Sequence, residues 1–299
     1  MRVVTTTAEL VETRTGWGRD GQVGLVPTMG YLHTGHLSLV ERARAESGTV
    51  VASIFVNPKQ FGPSEDLARY PRNLPRDLQL LEAGGVDVVF APAVEEMYPA
   101  GFATYVEPTG PLAERLEAAT RPGHFRGVAT VVLKLFRIVQ PDAAYFGQKD
   151  AQQVAVIRRM VADLNVGVTL RVLPIVRERD GLAMSSRNSY LGPEDRAAAT
   201  VLYRALVAGR EAFEMQVSVE TGEVAQVERV AQAIAGVVAE EPRARLDYAD
   251  VADPDTFEPL RTLRAPAVLA IAARVGPTRL IDNVLLRPDG TWDMGTGIP

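Results

Sequence analysis

Apolar positions along this chain follow two alternating rhythms. Residues 22–27 (QVGLVP), 49–56 (TVVASIFV), 86–90 (VDVVF), 143–146 (AAYF) and 168–172 (VTLRV) are short runs, several rich in β-branched residues. That is the pattern of strands covered on both faces. Between them, residues 36–47 place Leu37, Leu39, Val40 and Ala43 on one side of a helix, and residues 74–83, 128–138 and 151–164 also read as helices. Strand then helix, repeated, predicts a parallel sheet with right-handed crossovers and helices on both faces. We therefore expect a Rossmann-like, doubly wound α/β domain over residues 1–175, with ligands bound beyond the carboxyl ends of its strands.

The rhythm changes after Pro174. Two helical stretches rich in Ala, Glu and Arg cover residues 193–215 and 224–240, and strand-like runs follow at 246–251, 267–275 and 278–284. Helices first and strands afterwards predict a smaller α+β domain over residues 176–299, expected to close over the active site. Gly276-Pro277 is a hairpin turn signal between the last two strands. The tail from Arg287, with its Pro, Gly and Thr, reads as loose. No internal repeat is visible.

Composition narrows the class. Among 299 residues, 46% are hydrophobic and 23% charged, enough apolar material for a real core. The net charge of -5 argues against a general nucleic-acid or anionic-membrane surface, since both need a concentrated positive field. Without cysteine there is no disulfide, thiolate zinc site or cysteine nucleophile. The start, MRVVTTTAELVETR, lacks the apolar core of a signal peptide, and no apolar run is long enough to span a membrane. A cytoplasmic location is expected.

Five loops carry the candidate chemistry. The first, Pro27–His36 (PTMGYLHTGH), lies between a strand and a helix. There, backbone N–H groups and the helix dipole can face a phosphate, and Gly30 and Gly35 allow close approach. Two of the three histidines, His33 and His36, sit in it and could donate to phosphate oxygens; a capping histidine beside a solvated one is the plainer alternative. The second, FVNPKQF, puts Asn57 and Gln60 just past a strand, where neutral amides suit hydroxyl and carboxylate groups, although Asn-Pro is also an ordinary turn. The third, RPGHFRGV, is a basic loop entering a helix around His124 and could equally be a solvated helix entry. The fourth, YFGQKD with Gln152 and Gln153 after it, sets Lys149 at a helix start, where such lysines are usually just solvated. The fifth, RERDGLAMSSRN, offers two hydroxyls and a guanidinium to a polyphosphate, though Ser-Ser-Arg is common in loops.

Taken together, these loops identify a resemblance. HTGH is similar to the HxGH signature of adenylyl-transferring α/β proteins, and PTMG ahead of it, with the four other segments in order, resembles the pantothenate synthetases (pantoate–β-alanine ligases). The match runs over about residues 1–286, with its specific motifs in the first 190. The resemblance implies ATP contacts at Met29, Gly30, Tyr31, Leu32, His33, Thr34, Gly35, His36, Gly147, Gln148, Lys149, Asp150, Val176, Met184, Ser185, Ser186 and Arg187. It implies catalytic roles for His36, His33, Lys149 and Arg187, and binding of pantoate or β-alanine by Gln60 and Gln153. Tyr70 looks like the tyrosine of the family's flexible gate, and RPGHFRGV is carried over as a segment near the substrates with no chemical step for His124. Tyr31 departs from the family, which commonly has a smaller residue or Asn there, and Thr34 departs inside HxGH.

The activity so implied is a two-step ligation. Pantoate attacks the α-phosphorus of MgATP to give pantoyl adenylate, and the amine of β-alanine then displaces AMP. Family precedent makes His36 a proton donor; electrostatic stabilisation describes the first step better, because a carboxylate nucleophile has no proton to lose. Magnesium is expected to arrive with ATP, since no dense carboxylate cluster would hold it as a protein-only site. The expected partners are the small substrates alone, with no nucleic acid or membrane, and the resemblance implies a homodimer. Two rivals remain at this level: another HxGH nucleotidyltransferase, including one acting on tRNA, and a nucleotide-binding regulator that kept the fold.

Overall fold

A computed structural model of the chain describes residues 1–17, 21–63, 65–217 and 223–298, without the side chains of 216, 217 and 223–225. The chain divides into two compact units, Met1–Gly147 with Val156–Leu173, and Gln148–Ala155 with Pro174–Pro299. The second unit thus takes in residues 148–155, which a cut at residue 175 leaves with the first. The reason is local: the buried Asn283 donates through Nδ2 to the carbonyls of Gln148 (3.1 Å) and Lys149 (2.9 Å).

The first unit runs β1 (Arg2–Val4), α1 (Thr7–Arg14), β2 (Val23–Thr28), α2 (Thr34–Glu46), β3 (Thr49–Ile54), α3 (Leu74–Ala83) and β4 (Val88–Phe90). Short helices α4 (Val94–Met97) and α5 (Glu117–Thr120) precede α6 (His124–Val139), β5 (Ala143–Gly147), α7 (Ala151–Asp163, of which 151–155 count with the second unit) and β6 (Thr169–Leu173). The six strands form one parallel sheet in the order β1-β4-β3-β2-β5-β6. Both faces are covered, which accounts for the apolar runs. Val26, Val50, Ala52, Val89 and Tyr145 pack with Leu39, Val40 and Ala43 of α2 and Leu81 of α3, while α6 packs on β2 with α1 alongside it. The chain moves outward from β2 to β3 and β4 and then returns to β5 on the other side of β2. That reversal is the switch point at which such sheets bind ligands, and PTMGYLHTGH follows β2 directly.

The expected elements of this unit are present, with ends shifted by up to four residues. Four were not anticipated: β1, α1 and the short helices α4 and α5. Strand β1 is a three-residue edge pairing with β4. Helix α1 is set by a capping box, in which Glu9 N donates to Thr6 Oγ1 (3.2 Å) and Thr6 N to Glu9 Oε2 (3.0 Å).

The second unit contains β7 (Val176–Arg177), α8 (Pro193–Ala198), α9 (Val201–Val217), α10 (Glu223–Ala239), β8 (Ala244–Ala252), β9 (Ala267–Val275), β10 (Thr278–Leu286), β11 (Trp292–Asp293) and β12 (Thr296–Gly297). An antiparallel sheet, β11-β10-β9-β8, packs against α9 and α10 through Leu202, Leu206, Phe213, Val230, Ile234, Leu269 and Ile271. The single helix expected over 193–215 is two, because the chain turns at Ala199-Thr200 and the Thr200 hydroxyl donates to the Ala197 carbonyl (2.9 Å). The tail after Arg287 is not loose as expected. Strand β11 pairs with β10, Trp292 meets Phe213 edge-on at 5.3 Å, and β12 pairs with β7 through Thr296 N to Ile175 O (2.7 Å) and Ile298 N to Arg177 O (3.0 Å).

Candidate active site

The turn after β2 is held from beneath by one carboxylate. Gly30 (φ +81°) and Tyr31 (φ +49°) both adopt left-handed backbone, which reverses the chain before α2. The buried Asp77 of α3 accepts Tyr31 N (2.7 Å) and Leu32 N (2.8 Å), while Gly30 N donates to Thr28 Oγ1 (3.1 Å). A Cβ on Gly30 would stand 3.0 Å from Asp77 Oδ2, so a larger residue would push on the carboxylate that holds the loop. Arg76 donates to Leu32 O (2.9 Å), and its guanidinium carbon lies 5.7 Å from the centre of the Tyr31 ring. Left-handed backbone is unfavourable for a bulky residue such as Tyr31, and Asn tolerates it better.

These bonds narrow which N–H groups of the turn can face a phosphate. The N–H groups of Gly30, Tyr31 and Leu32 are taken, and His33 N donates to His36 Nδ1 (3.3 Å). What remains, among the described residues, are Met29 and, in the first turn of α2, Thr34 and Gly35, a turn without acidic side chains. In a neutral imidazole, an accepting Nδ1 puts the proton on Nε2. His36 then presents an N–H donor, and its ring stacks at 4.0 Å on His33, the residue that caps α2. An uncompensated helix N-terminus with two stacked imidazoles favours an anion.

Beyond β3 lies a neutral part of the same unit. Asn57 (1% exposed) caps a 3-10 turn over Pro58–Gln60, accepting Lys59 N on Oδ1 (3.2 Å). Its Nδ2 donates to Gln60 Oε1 (3.0 Å) and Gly127 O (3.1 Å), and Tyr98 OH donates to Asn57 Oδ1 (2.8 Å). Gln60 Nε2 meets the sulfur of Met29 at 3.3 Å, so this amide and the phosphate-type turn lie together. Helix α6 approaches so closely that a Cβ on Gly127 would fall 2.2 Å from Lys59 O, which is why glycine stands there.

His124 supports Gln60 from the other side. Its Nδ1–H donates to Gln60 O (2.9 Å) and its Nε2 accepts from Arg121 Nη1 (3.0 Å), while Arg121 pairs with Glu65 (2.8 Å). Burial, with the adjacent Arg121 charge, lowers the His124 pKa to about 4, so the ring is neutral near pH 7. Tyr70 is buried, with its ring edge-on to Phe61 at 5.7 Å.

Most of the remaining candidates belong to the second unit. Gln148, Lys149 and Asp150 form a 3-10 turn ahead of α7, with Lys149 Nζ 3.8 Å from Asp150 Oδ1. Gln148 donates through Nε2 to Asn283 Oδ1 (3.2 Å), so its amide is turned toward β10. Gln153 follows, half-buried, in the first turn of α7. Val176 O accepts Met184 N (3.0 Å), which folds the Met184–Arg187 segment back onto β7. There Ser185 Oγ accepts Arg187 N (3.3 Å), Ser186 is buried, and Met184 and Arg187 are half-buried. Gly147, the last residue of β5 and in the first unit, has no protein atom within 4 Å of where a Cβ would stand.

Sequence reasoning missed the pair that organises these segments. Asp282 takes Arg177 in a bidentate ion pair (2.7 and 3.0 Å) with both side chains buried, and Arg177 also donates to Gly181 O (3.0 Å). Asn283, the next residue, holds the carbonyls of Gln148 and Lys149. Thus β10 fixes the lysine turn with one side chain and the Ser-Ser-Arg loop with its neighbour. The signal was two adjacent polar residues inside the apolar run TRLIDNVLL. Asp77 and Tyr98 were missed as well.

The fold and these loops define a class, the Rossmann-like α/β proteins whose switch-point turn is suited to an anion and lies beside buried amides. Comparison with known proteins makes the class specific. The family model described as pantoate-beta-alanine ligase matches residues 2–285. The pantothenate synthetase of Roseiflexus sp. (strain RS-1) is 60% identical over 286 residues, covering 96% of this chain and 99% of that protein. The pantothenate synthetase of Herpetosiphon aurantiacus is 55% identical over 287 residues, covering 96% of this chain and 100% of that one. The crystal structure of pantothenate synthetase from Thermus thermophilus superposes with a TM-score of 0.89 at 54% identity, covering 96% of this chain and all of that one. Pantoate-beta-alanine ligase from Francisella tularensis, solved in complex with beta-gamma ATP and beta-alanine, gives a TM-score of 0.76 at 33% identity, covering 95% of this chain and 97% of that one. The chain belongs to the pantoate–β-alanine ligase family. Among the described residues, no helix is long and apolar enough to cross a membrane.

Proposed function

We propose that the chain condenses pantoate with β-alanine in two steps on ATP, through a pantoyl adenylate. In the first, a pantoate carboxylate oxygen bonds to the α-phosphorus, the bond from that phosphorus to the β-phosphate oxygen breaks, and pyrophosphate leaves with its electron pair. In the second, the β-alanine amine attacks the acyl carbon, the acyl–oxygen bond breaks, AMP leaves, and the amine proton passes to solvent. The observation that carries the reading is family membership across residues 2–285, and the Francisella ligase solved with an ATP derivative and β-alanine supports it.

In this reading His36 Nε2–H, His33 and the Thr34 and Gly35 N–H groups stabilise phosphate charge. Lys149, Ser185, Ser186 and Arg187 act on the same nucleotide. Charge stabilisation by such preorganised donors is the main catalytic term available to an adenylation, whose nucleophile is already ionised. Gly147, Gln148, Asp150, Val176 and Met184 complete the nucleotide site, with Met29, Gly30, Tyr31 and Leu32 from the turn after β2. Gln60 and Gln153 hold pantoate through both steps, because a released adenylate would be hydrolysed.

Magnesium enters as MgATP and neutralises phosphate charge when bound. Among the described residues no three His, Asp or Glu side chains gather into a metal site, and Asp77 is committed to the β2–α2 turn. A hard cation held through phosphate oxygens and water fits that donor set. A cytoplasmic location fits an enzyme that uses ATP, and the family resemblance implies a homodimer.

ATP–pyrophosphate exchange, with candidate acids supplied one at a time, tests the reading. Exchange that requires pantoate but not β-alanine is expected. Exchange with another acid and none with pantoate would sink the substrate assignment while leaving the adenylation chemistry intact. Lys149→Ala should slow adenylate formation by about 100-fold or more in a folded protein.

A further inference from the structure

An amide side chain can be turned either way, and what it offers a ligand depends on that choice. In this protein the choice at Gln60 is forced from the backbone outward. A carbonyl only accepts and a backbone N–H only donates. Gly127 O lies 3.1 Å from one end of the Asn57 amide and Lys59 N 3.2 Å from the other, so the first end must be NH2 and the second oxygen. That NH2 also points at Gln60, 3.0 Å away, so Gln60 must answer with its own oxygen. Its NH2 is left toward Met29 Sδ at 3.3 Å, a weak acceptor that a ligand oxygen displaces at little cost.

The fourth contact on Asn57 comes from Tyr98, 9% exposed, whose OH stands 2.8 Å from Asn57 Oδ1. That oxygen already accepts from Lys59 N, so Tyr98 must be the donor. Burial raises the Tyr98 pKa, with the Tyr105 phenol adding to the effect, so the proton stays on the phenol across the working pH range. The ring is buttressed by Phe102 at 4.9 Å and Phe55 at 6.1 Å, which fixes where the hydroxyl points.

We propose that Tyr98 is a positioning residue that acts through Asn57 to lock the Gln60 amide with its NH2 presented, so that the substrate group bound there is an acceptor, a carboxylate or hydroxyl oxygen. Tyr98 reaches Gln60 only through Asn57 and belongs to none of the five motif segments. The proposal rests on Gln60 as a pantoate residue and adds what sets the polarity of its contact.

Kinetics of Tyr98→Phe, which deletes the hydroxyl and keeps the ring, test it. One buried hydrogen bond is worth on the order of tenfold in binding. The KM for pantoate should rise about tenfold, with kcat and the KM values for ATP and β-alanine within about twofold of wild type. In Tyr98→Phe/Gln60→Ala the pantoate KM should match that of Gln60→Ala alone, since the relay then has nothing to orient. Asn57→Ser keeps an acceptor for Lys59 N, but its single proton on a shorter side chain cannot serve both Gln60 and Gly127 O, so it should raise the same KM at least as much and guards against a folding defect peculiar to the tyrosine site. A normal pantoate KM in Tyr98→Phe while Gln60→Ala raises it, or losses that multiply in the double variant, would overturn the proposal alone. An unchanged pantoate KM in Gln60→Ala would remove the assignment of Gln60, and the relay with it.

Discussion

Acid should weaken this protein through His124, and the size of the effect follows from its surroundings. The ring is 7% exposed, gives its one proton to Gln60 O, and receives a hydrogen bond from the Arg121 guanidinium. Burial foremost, and then the Arg121 charge, bring its pKa from an ordinary 6.5 to about 4. An unfolded chain takes up this proton near pH 6.5, whereas the folded one resists until about pH 4. Between those values the unfolded state binds more protons, so stability falls as pH falls. The contribution is intact above pH 7, about 2 kcal/mol is lost by pH 5, and about 3 kcal/mol is lost once both states are protonated. Urea unfolding at steps from pH 7.5 to 4.5, on wild type and His124→Asn, isolates the term. Asparagine can donate to Gln60 O as the ring does but has nothing to titrate, and carboxylates elsewhere cancel in the difference. The two stability curves should converge as pH falls through this window. Parallel curves would refute the reasoning and place the acid sensitivity elsewhere.

Asp77→Ala leaves two buried N–H groups of the β2–α2 turn without an acceptor; we expect about 3 kcal/mol of destabilisation and a raised KM for ATP, checked by thermal unfolding and initial rates. An unchanged KM for ATP in the folded variant would mean that the carboxylate does not set the loop's geometry. Asp282→Ala strands the buried Arg177 charge and should cost about 3–5 kcal/mol, most of it recovered in Arg177→Met/Asp282→Leu, as a denaturant double-mutant cycle would show. Independent losses in that cycle would contradict the pairing.

How much was legible in the sequence depended on what kind of signal each feature carried. The parallel sheet was readable because burial on both faces forces continuous apolar runs such as Val50–Ala52 and Val88–Phe90. Helix α1 was not, because only Leu10 is buried on it; its signal is Thr6 three residues before Glu9, a pattern of capping and not of periodicity. The tail escaped because two-residue strands have no pattern of their own and exist only through the partners β10 and β7. At the candidate site, residues whose type suggests chemistry, His33, His36, Lys149, Ser185 and Arg187, stood out in their loops. Those that aim them did not. Asp77, Tyr98, Asp282 and Asn283 bond to backbone or to another side chain far away in sequence, and nothing nearby in the chain marks such a bond.

The division between neutral and charged groups has a chemical logic under the proposed ligation. A carboxylate that must attack phosphorus keeps its nucleophilicity only if its charge is not already neutralised by a close ion pair. Amides can orient it while leaving that charge largely in place, provided that they offer N–H and not oxygen. This is where the orientation of Gln60 matters: turned over, the same side chain would set an oxygen against the substrate's oxygens. Positive charge is useful instead where negative charge builds up, on the phosphates and the departing pyrophosphate, and the residues assigned there are the lysine turn and the Ser-Ser-Arg loop, both fixed to β10. The four residues that sequence alone did not reveal thus do related work. Asp77 sets which N–H groups of the β2–α2 turn remain available, Tyr98 reinforces an amide orientation that Gly127 O and Lys59 N define, and Asp282 and Asn283 fix the backbone from which the cations project. Preorganisation of this kind is what a charge-stabilising mechanism requires, because donors that had to reorganise during the reaction would return much of the free energy they supply.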